Sequence, residues 1–519
     1  MAGIFCESVL FVITKLLRNH FVKRSQRTDL WATDTTRIQL RELRRLLTAA
    51  KDTDYGKTLG FTDVLRTDDA SLYKAFAAQV PRVGYEDIRT YAERMLRGEK
   101  DVLWPGICRD FAQSSGTSGG KSKYIPITPD SLRYNHYAGG TDAVAHYLRL
   151  CPESRLFEGR ALILGGSFAN EIEHLDPKVK VGDLSATLIN RINPLANLVR
   201  VPEKKIALMP DWTEKLPLLA QRAASANVSN ISGVPSWMLT VLRRVMSLKG
   251  EDDLRKVWPR LEVFFHGGIS FEPYRDEYAS LMPSGNIRYL ENYNASEGFF
   301  AVQNDFDDPA MLLLIDAGIF YEFAPLDGGE PLAPWEIEEG GTYELLISAC
   351  NGLWRYSPGD TVRICSVSPI KIRVAGRTKS FINAFGEEVM EWNTERAIAA
   401  ACRATQASVK NYTVAPLFSH DGSKARHQWL IEWIKKPAST DVFCAVLDRE
   451  LQAVNSDYQA KRSGNIFLDL PEIITMREGS FDRWLSTSGS GKLGGQRKIP
   501  RLSNDRRIAD VLLKYKDED

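Results

Sequence analysis

The 519-residue sequence lacks the features that mark several classes of protein. Its 67 Lys and Arg residues balance 66 Asp and Glu residues, so no excess of positive charge indicates binding to nucleic acid or to an anionic membrane. The seven cysteines show no C-x-x-C spacing and the seven histidines form no H-E-x-x-H motif, which argues against a structural zinc or iron–sulfur site. Scattered cysteines of this kind are typical of reduced thiols in a cytoplasmic protein.

Long hydrophobic runs are also missing. The N-terminal stretch MAGIFCESVLFVITKLLRNHFVKR is apolar, but Glu7, Lys15 and Arg18 interrupt it, and it has no basic leader or small-residue cleavage site. We expect an amphipathic helix that packs on the body of the protein. A peripheral membrane contact is the alternative interpretation.

The hydrophobic pattern changes several times along the chain. The first hundred residues have helical spacing, and from Phe111 onwards short apolar runs such as RALILGGSF, KIALMP and LEVFFHGG read as strands that alternate with helices. A β-rich lobe follows, and the last part reads as a compact α+β module. A chain of 519 residues is longer than a single domain with one hydrophobic core usually is. We therefore predict an α/β protein with a large N-terminal domain, 1–377, and a small C-terminal α+β domain, 378–519.

The stretch SSGTSGGKSKYIPIT, residues 114–128, is rich in glycine and hydroxyl side chains. It matches the end of a Walker A loop, but Ser115 stands where that motif has its first glycine, and the prolines that follow argue against the required helix. A strand–loop–strand hairpin is the better prediction. Its backbone amides, with the hydroxyls of Ser115, Thr117 and Ser118, can still surround phosphate. A flexible linker is the alternative.

Three further loops follow predicted strands, where ligands of α/β sheets collect. In HGGISFEP, Gly267 and Gly268 allow a flat base to approach the backbone. In YNASEGFF, Tyr293 offers a ring for stacking, Ser296 a donor, and Glu297 a carboxylate suited to Mg²⁺. In YSPGD, Asp360 can accept from both ribose hydroxyls. Each loop alone fits an ordinary turn or helix cap; together with the hydroxyl-rich loop they supply contacts for one ATP.

These four loops, in this order, resemble the auxin-responsive Gretchen Hagen family of acyl acid amido synthetases, within the acyl-adenylate-forming (firefly luciferase-like) ligase superfamily. The likeness extends to GRTKSFINAFGEEV, which resembles the interdomain hinge, and to GGQRKIPRL, which resembles the segment carrying a mobile active-site lysine. It covers nearly the whole chain. The length favours a compact, bacterial-type member.

The resemblance implies roles for individual residues. Lys498 would neutralise charge on the reacting phosphate and carboxylate, and Lys492 is the alternative candidate for this role. Ser296 would contact the α-phosphate, and Glu297 would bind Mg²⁺. Asp360 and Arg377 would hold the ribose. The remaining nucleotide contacts would come from three segments: the hydroxyl-rich stretch SSGTSGGKS, called the phosphate loop here, the stretch HGGISFEP, called the adenine loop, and the YNASE motif. Their residues are Ser114, Ser115, Gly116, Thr117, Ser118, Gly119, Lys121, Gly267, Gly268, Ile269, Asn292, Tyr293, Asn294 and Ala295. The acyl pocket is expected near Tyr134, Tyr137 and Leu184.

Three functions remain open from the sequence. The first is an ATP- and Mg²⁺-dependent ligase that forms an acyl-adenylate and transfers the acyl group to an amino acid. The second transfers it to coenzyme A instead, and the third is a nucleotide-binding protein without catalysis. The expected partners are small-molecule acids and amino acids, with no nucleic acid and no membrane span, and the expected state is a monomer.

Overall fold

The computed structural model describes residues 18–114, 123–168, 176, 178–269, 271, 274–326, 328–377, 381–418, 424–465, 467–487 and 500–516. Its α-helices are α1 (18–27), α2 (Trp31–Ala50), α3 (Asp54–Thr58), α4 (Phe61–Leu65), α5 (Asp69–Gln79), α6 (Tyr85–Leu96), α7 (Tyr137–Leu150), α8 (Leu184–Arg191), α9 (Lys204–Ala207), α10 (Trp212–Ala224), α11 (Pro235–Lys249), α12 (Leu254–Val257), α13 (Arg275–Ser280), α14 (Glu391–Thr405), α15 (Thr440–Val454), α16 (Ser456–Arg462), α17 (Ser480–Thr487) and α18 (Arg507–Leu512).

Shorter helical turns link several of these helices. Turns of 3₁₀ geometry cover Thr28–Leu30, Leu156–Glu158, Pro194–Val199, Ser463–Asn465 and Leu513–Tyr515, and a π-helical segment, Ser131–His136, leads into α7. None of the described helices is long and apolar enough to cross a membrane.

The strands are β1 (Asp110–Ser114), β2 (Lys123–Ile127), β3 (Arg160–Ile163), β4 (Lys180–Gly182), β5 (Arg200–Val201), β6 (Val228–Gly233), β7 (Val263–Gly267), β8 (Arg288–Ala295), β9 (Gly298–Gln303), β10 (Met311–Leu313), β11 (Ile319–Pro325), β12 (Thr342–Ala349), β13 (Asp360–Val367), β14 (Ile370–Arg377), β15 (Phe381–Ile382), β16 (Val389–Met390), β17 (Ser408–Leu417), β18 (Arg426–Lys435) and β19 (Glu472–Met476).

An 11-stranded sheet organises the larger part of the molecule, in the order β11-β12-β13-β14-β10-β9-β8-β7-β6-β3-β5. Strands β5, β3, β6, β7 and β8 are parallel, and the pairs from β8 to β11 are antiparallel. Apolar runs such as Val263–Phe265 are buried, as expected for strands covered on both faces. The predicted α/β class and the predicted β-rich lobe are confirmed, and the strands of the lobe are antiparallel.

Helix α2 shows how the helical spacing attaches the N-terminal region to this body. Leu43, Leu46, Leu47 and Ala50 recur every three or four residues and are fully buried, because that spacing places them on one face of the helix. The N-terminal helix α1 is attached by Arg24, which pairs with Asp142 and Asp316, whereas residues 1–17 lie outside the described part of the chain.

A three-stranded sheet, β17-β18-β19, forms the core of the C-terminal module together with α14 and α15. These elements agree with the α+β class predicted for the last part of the chain. The boundary between residues 377 and 378 is not decided by these elements and stays a prediction.

The interpretation of KIALMP as a strand is wrong. Residues Lys204–Ala207 form the short helix α9, in which the amides of both Ile206 and Ala207 donate to the carbonyl of Glu203. Both residues are buried in this helical turn. The strand of this region lies just before it, at Arg200–Val201, and pairs with β3.

Candidate active site

The hydroxyl-rich loop connects two paired strands, as predicted. Strands β1 and β2 are antiparallel, and Ser114 lies opposite Lys123 at the end of the ladder. Residues 115–122 join these positions but lie outside the described residues. The predicted contacts of the loop itself, Ser115, Gly116, Thr117, Ser118, Gly119 and Lys121, therefore stay predictions.

The carboxyl ends of parallel strands gather at one edge of the large sheet. Strand β7 ends at Gly267, directly opposite Asn292 of β8. A Cβ atom at Gly267 would lie 2.2 Å from the Asn292 carbonyl oxygen, far inside van der Waals contact. Glycine is therefore required here by the close approach of the two backbones. Gly268 and Ile269 follow at the same edge, and burial lowers the pKa of the neighbouring His266 to about 3.

This close approach gives a testable expectation. Gly267→Ala should lower the free energy of unfolding by about 1–3 kcal/mol, since the added methyl group must displace backbone. The matched control is Gly140→Ala in α7, where an added Cβ meets no atom within 4 Å and alanine is favoured in a helix. Thermal and denaturant unfolding of both variants measure the difference in the free energy of unfolding. Equal stability of the two variants would contradict the close approach of the two backbones at Gly267.

The YNASE motif forms the end of a hairpin at the same edge. Ala295 pairs with Gly298, so Ser296 and Glu297 lie at the tip between β8 and β9. The Glu297 side chain is only 8% exposed, and the Glu297 carbonyl accepts a hydrogen bond from Asn351 Nδ2 at 3.1 Å. Mg²⁺ commonly uses one or two carboxylates together with water and phosphate oxygens, so this single carboxylate fits such an ion.

A third loop reaches the YNASE motif from the antiparallel half of the sheet. Asp360 begins β13 and lies opposite Arg377, the last residue of β14. Asp360 is 5% exposed, and its carboxylate accepts a hydrogen bond from the Tyr293 hydroxyl. The Tyr293 ring packs against Phe300 with 4.8 Å between centroids. The structure therefore brings the predicted ribose acceptor and the predicted stacking residue into direct contact.

Sequence reasoning missed two polar residues behind the YNASE hairpin. Asn135 donates to the carbonyls of Phe299 and Ala317 at 3.0 and 2.9 Å, and it accepts from the Phe299 amide. His136 Nδ1 lies 3.3 Å from Asn294 Oδ1, and burial lowers the His136 pKa to about 4. Both belong to the π-helical segment, a feature found often at functional sites. Nothing in the sequence pattern marks it.

The predicted acyl-pocket residues are only partly brought together. The Tyr137 hydroxyl donates to the Leu188 carbonyl at 2.9 Å, which places α7 against α8, the helix that begins at Leu184. Burial raises the Tyr137 pKa to about 12. Tyr134 lies elsewhere: its ring is 40% exposed and contacts the guanidinium of Arg45.

The predicted mobile lysine lies outside the described residues, as do Lys492 and the hinge residue Lys379. The chain just after Lys498 is anchored, because the Thr413 hydroxyl donates to the Pro500 carbonyl and Val414 N donates to Arg501 O. The segment after the hinge reaches the adenine loop: Asn383 Nδ2 lies 3.4 Å from the Gly268 carbonyl. The small-domain loop therefore faces the same edge of the sheet.

Comparison with known proteins gives a consistent result along the chain. The GH3 family N-terminal domain matches residues 24–287, the central domain residues 312–377, and the C-terminal domain residues 393–507. Indole-3-acetic acid-amido synthetase GH3.8 of Oryza sativa subsp. indica is 23% identical over 95% of this chain and 92% of its own length. The enzyme named GH3.10 in Arabidopsis thaliana is 23% identical over 92% and 94%.

Two solved structures share the fold. The AtGH3.15 acyl acid amido synthetase in complex with 2,4-DB aligns with a TM-score of 0.61 and 19% identity, over 96% of each chain. A 2-hydroxyisobutyryl-CoA ligase aligns with a TM-score of 0.57 and 12% identity, over 92% of this chain and 91% of its own. Because the N-terminal domain match alone covers half of the sequence and the other two domains follow in order, the chain belongs to the GH3 family.

Proposed function

We propose that the protein is an ATP-dependent acyl acid amido synthetase. In the first half-reaction, a substrate carboxylate attacks the α-phosphorus of ATP, the bond to the β-phosphate oxygen breaks, and pyrophosphate leaves. In the second, the amine of an amino acid attacks the acyl carbon of the adenylate, AMP leaves with the electron pair of the broken C–O bond, and the nitrogen loses a proton. The product is an amide.

The observation that carries this proposal is the convergence of three loops at one edge of the sheet. Gly267 approaches Asn292, the Ser296–Glu297 tip follows from the same strand, and Asp360 reaches Tyr293. This arrangement supports a site for the base, the α-phosphate and the ribose of one nucleotide. Membership of the GH3 family and the names of its relatives support the acid and the amine as substrates.

The residues of this chain would share the work as follows. Asp360, with Arg377 opposite, would hold the ribose, and Glu297 would hold Mg²⁺, which supplies charge neutralisation at the phosphates when bound. Lys498 would act from the small domain on the charge that develops during adenylate formation. We also propose a division into domains 1–377 and 378–519. Two half-reactions in one cleft require the smaller domain to present different residues in turn.

One experiment separates this function from its alternatives. The protein is incubated with ATP, Mg²⁺ and a library of carboxylic acids, with either mixed amino acids or coenzyme A, and the products are read by mass. Amides with amino acids are the expected result. Thioesters would favour a coenzyme A ligase, and the absence of both AMP and pyrophosphate would favour a nucleotide-binding protein without catalysis.

A further inference from the structure

A single buried side chain holds the hairpin that carries Ser296 and Glu297. Asn135, in the π-helical segment, is 2% exposed, and its amide makes three hydrogen bonds to backbone groups. Its Oδ1 accepts from the Phe299 amide at 2.7 Å, and its Nδ2 donates to the Phe299 carbonyl at 3.0 Å and to the Ala317 carbonyl at 2.9 Å. A residue of a neighbouring antiparallel strand makes the same pair of bonds to one backbone position. Asn135 therefore binds β9 as a strand would, just after the hairpin tip.

The register of the hairpin is irregular at this point. Tyr293 of β8 lies opposite Ala301 of β9. The next residue of β8, Asn294, lies opposite Phe299, so one residue of β9 has no counterpart and the ladder contains a bulge. Bulges disrupt the ladder locally and are common beside active sites. The bonds from Asn135 to Phe299 fix the chain between this bulge and the tip.

The hairpin also packs directly on the helical segment that carries Asn135. A Cβ atom at Gly298 would lie 3.3 Å from Asn135 Oδ1, tighter than most contacts of this kind. Four residues further along the helix, a Cβ atom at Gly139 would lie 2.4 Å from the Phe299 ring. The first two residues of β9 are therefore in close contact with the helix, and the hydrogen bonds of Asn135 lie within this contact.

The same helical segment follows the phosphate loop in the chain. Strand β2, which leaves that loop, ends at Ile127, and the π-helical segment begins four residues later. A second connection starts at Thr128, whose hydroxyl donates to the Cys350 carbonyl at 2.7 Å. The next residue, Asn351, donates from Nδ2 to the Glu297 carbonyl. Two polar connections therefore join the chain after the phosphate loop to the hairpin tip.

We propose that Asn135 is a positioning residue that fixes the Glu297 carboxylate relative to the phosphate loop. This inference rests on the proposed function, in which Glu297 holds Mg²⁺ and the phosphate loop holds the polyphosphate. Mg²⁺ demands a nearly ideal octahedral arrangement of oxygen ligands, so a carboxylate that shifts contributes less to its binding. Replacing a residue that orients a metal ligand typically lowers metal affinity by about 10–100-fold. Asn135 acts in this way through the backbone next to Glu297.

The test measures the Mg²⁺-dependent part of ATP binding by calorimetry. In Asn135→Leu, which keeps the approximate volume of the side chain and removes its three hydrogen bonds, the Kd for ATP in excess Mg²⁺ should rise by about tenfold or more. The Kd for ATP in EDTA and the Kd for AMP should stay unchanged, because the predicted ribose and base contacts are not altered. Unchanged binding of AMP also reports that the variant is folded.

Gln39→Met is the matched control. Gln39 of α2 is fully buried and donates to the carbonyls of Ile315 and Ile319 at 2.6 and 2.9 Å. It also accepts from the Tyr321 amide at 2.9 Å, so its three bonds go to β11 and to the loop before it. This variant should lose stability much as Asn135→Leu does, and its Kd for ATP in Mg²⁺ should stay unchanged. An equal rise of this Kd in both variants would overturn the positioning role.

A double variant shows whether Asn135 acts through Glu297. Glu297→Gln keeps the shape of the side chain and removes its charge, so by itself it should raise the Kd for ATP in Mg²⁺. Adding Asn135→Leu to Glu297→Gln should raise this Kd little further, because the carboxylate to be positioned is already missing. If the two effects multiply instead, Asn135 acts independently of Glu297 and the inference is overturned.

The outcomes separate this inference from the proposed function. If Glu297→Gln leaves the Mg²⁺ dependence of ATP binding unchanged, the metal role proposed for Glu297 fails and the role of Asn135 fails with it. If Glu297→Gln weakens binding and Asn135→Leu does not, only the positioning role is overturned. Should Asn135→Leu not bind AMP, Asn135→Ala, which leaves space for water, replaces it in the same titrations. Loss of AMP binding in both variants would assign Asn135 to folding alone and overturn the positioning role.

Discussion

Replacing Lys498 by alanine should slow adenylate formation by about 10²–10³-fold while the Kd for ATP changes by no more than about twofold. The reason is that the lysine acts on negative charge that exists mainly in the transition state, so its loss affects the rate and hardly affects ground-state binding. Pyrophosphate exchange measures the first quantity, and calorimetric titration with ATP measures the second.

Lys492→Ala is the control, since Lys492 lies in the same C-terminal stretch and could also reach the phosphates. We expect it to keep nearly the wild-type exchange rate. An inactive Lys492→Ala beside an active Lys498→Ala would assign the role to Lys492 instead. The anchoring of Pro500 by the Thr413 hydroxyl favours Lys498, because it fixes the chain two residues after that lysine and eight after Lys492.

Much of the nucleotide site follows from local sequence. The short turn between β13 and β14 places Val367 opposite Ile370. The two irregularities along the ladder cancel each other, so the register set by this turn also places Asp360 opposite Arg377. The glycines at 267 and 268 and the hairpin tip at Ser296 are likewise local features. A sequence pattern can indicate them because their geometry depends on neighbours a few residues away.

Other parts of the site depend on contacts between distant segments. Asn135 and His136 contact the YNASE hairpin from a π-helical segment, and the amphipathic pattern around them is an ordinary one. Lys461 stands in AKRSG, and nothing in this local sequence marks a buried lysine. Its burial results from the packing of α16 against Trp237, more than 200 positions earlier in the chain. Such long-range contacts leave no periodic signal.

Removing the Asp360 carboxylate should weaken the binding of ATP and of AMP by the same amount, about 1–3 kcal/mol. Both nucleotides carry the same ribose, and a lost charged hydrogen bond to its hydroxyls affects them equally. Asp360→Asn preserves the shape of the side chain, and Asp360→Ala removes it, so agreement between them would separate loss of charge from loss of packing. Calorimetry with each nucleotide gives the two affinities.

Thr117→Ala supplies the contrast, because a residue of the phosphate loop should affect ATP far more than AMP. Tyr293→Phe tests the contact seen in the structure: it removes only the hydroxyl that donates to Asp360, so both nucleotides should lose a smaller and equal share of affinity. If Asp360→Ala weakened ATP alone, the carboxylate would belong to the phosphate or metal site and the ribose would have to be held elsewhere. If Tyr293→Phe cost more than Asp360→Ala, the Tyr293 hydroxyl itself would be a nucleotide contact.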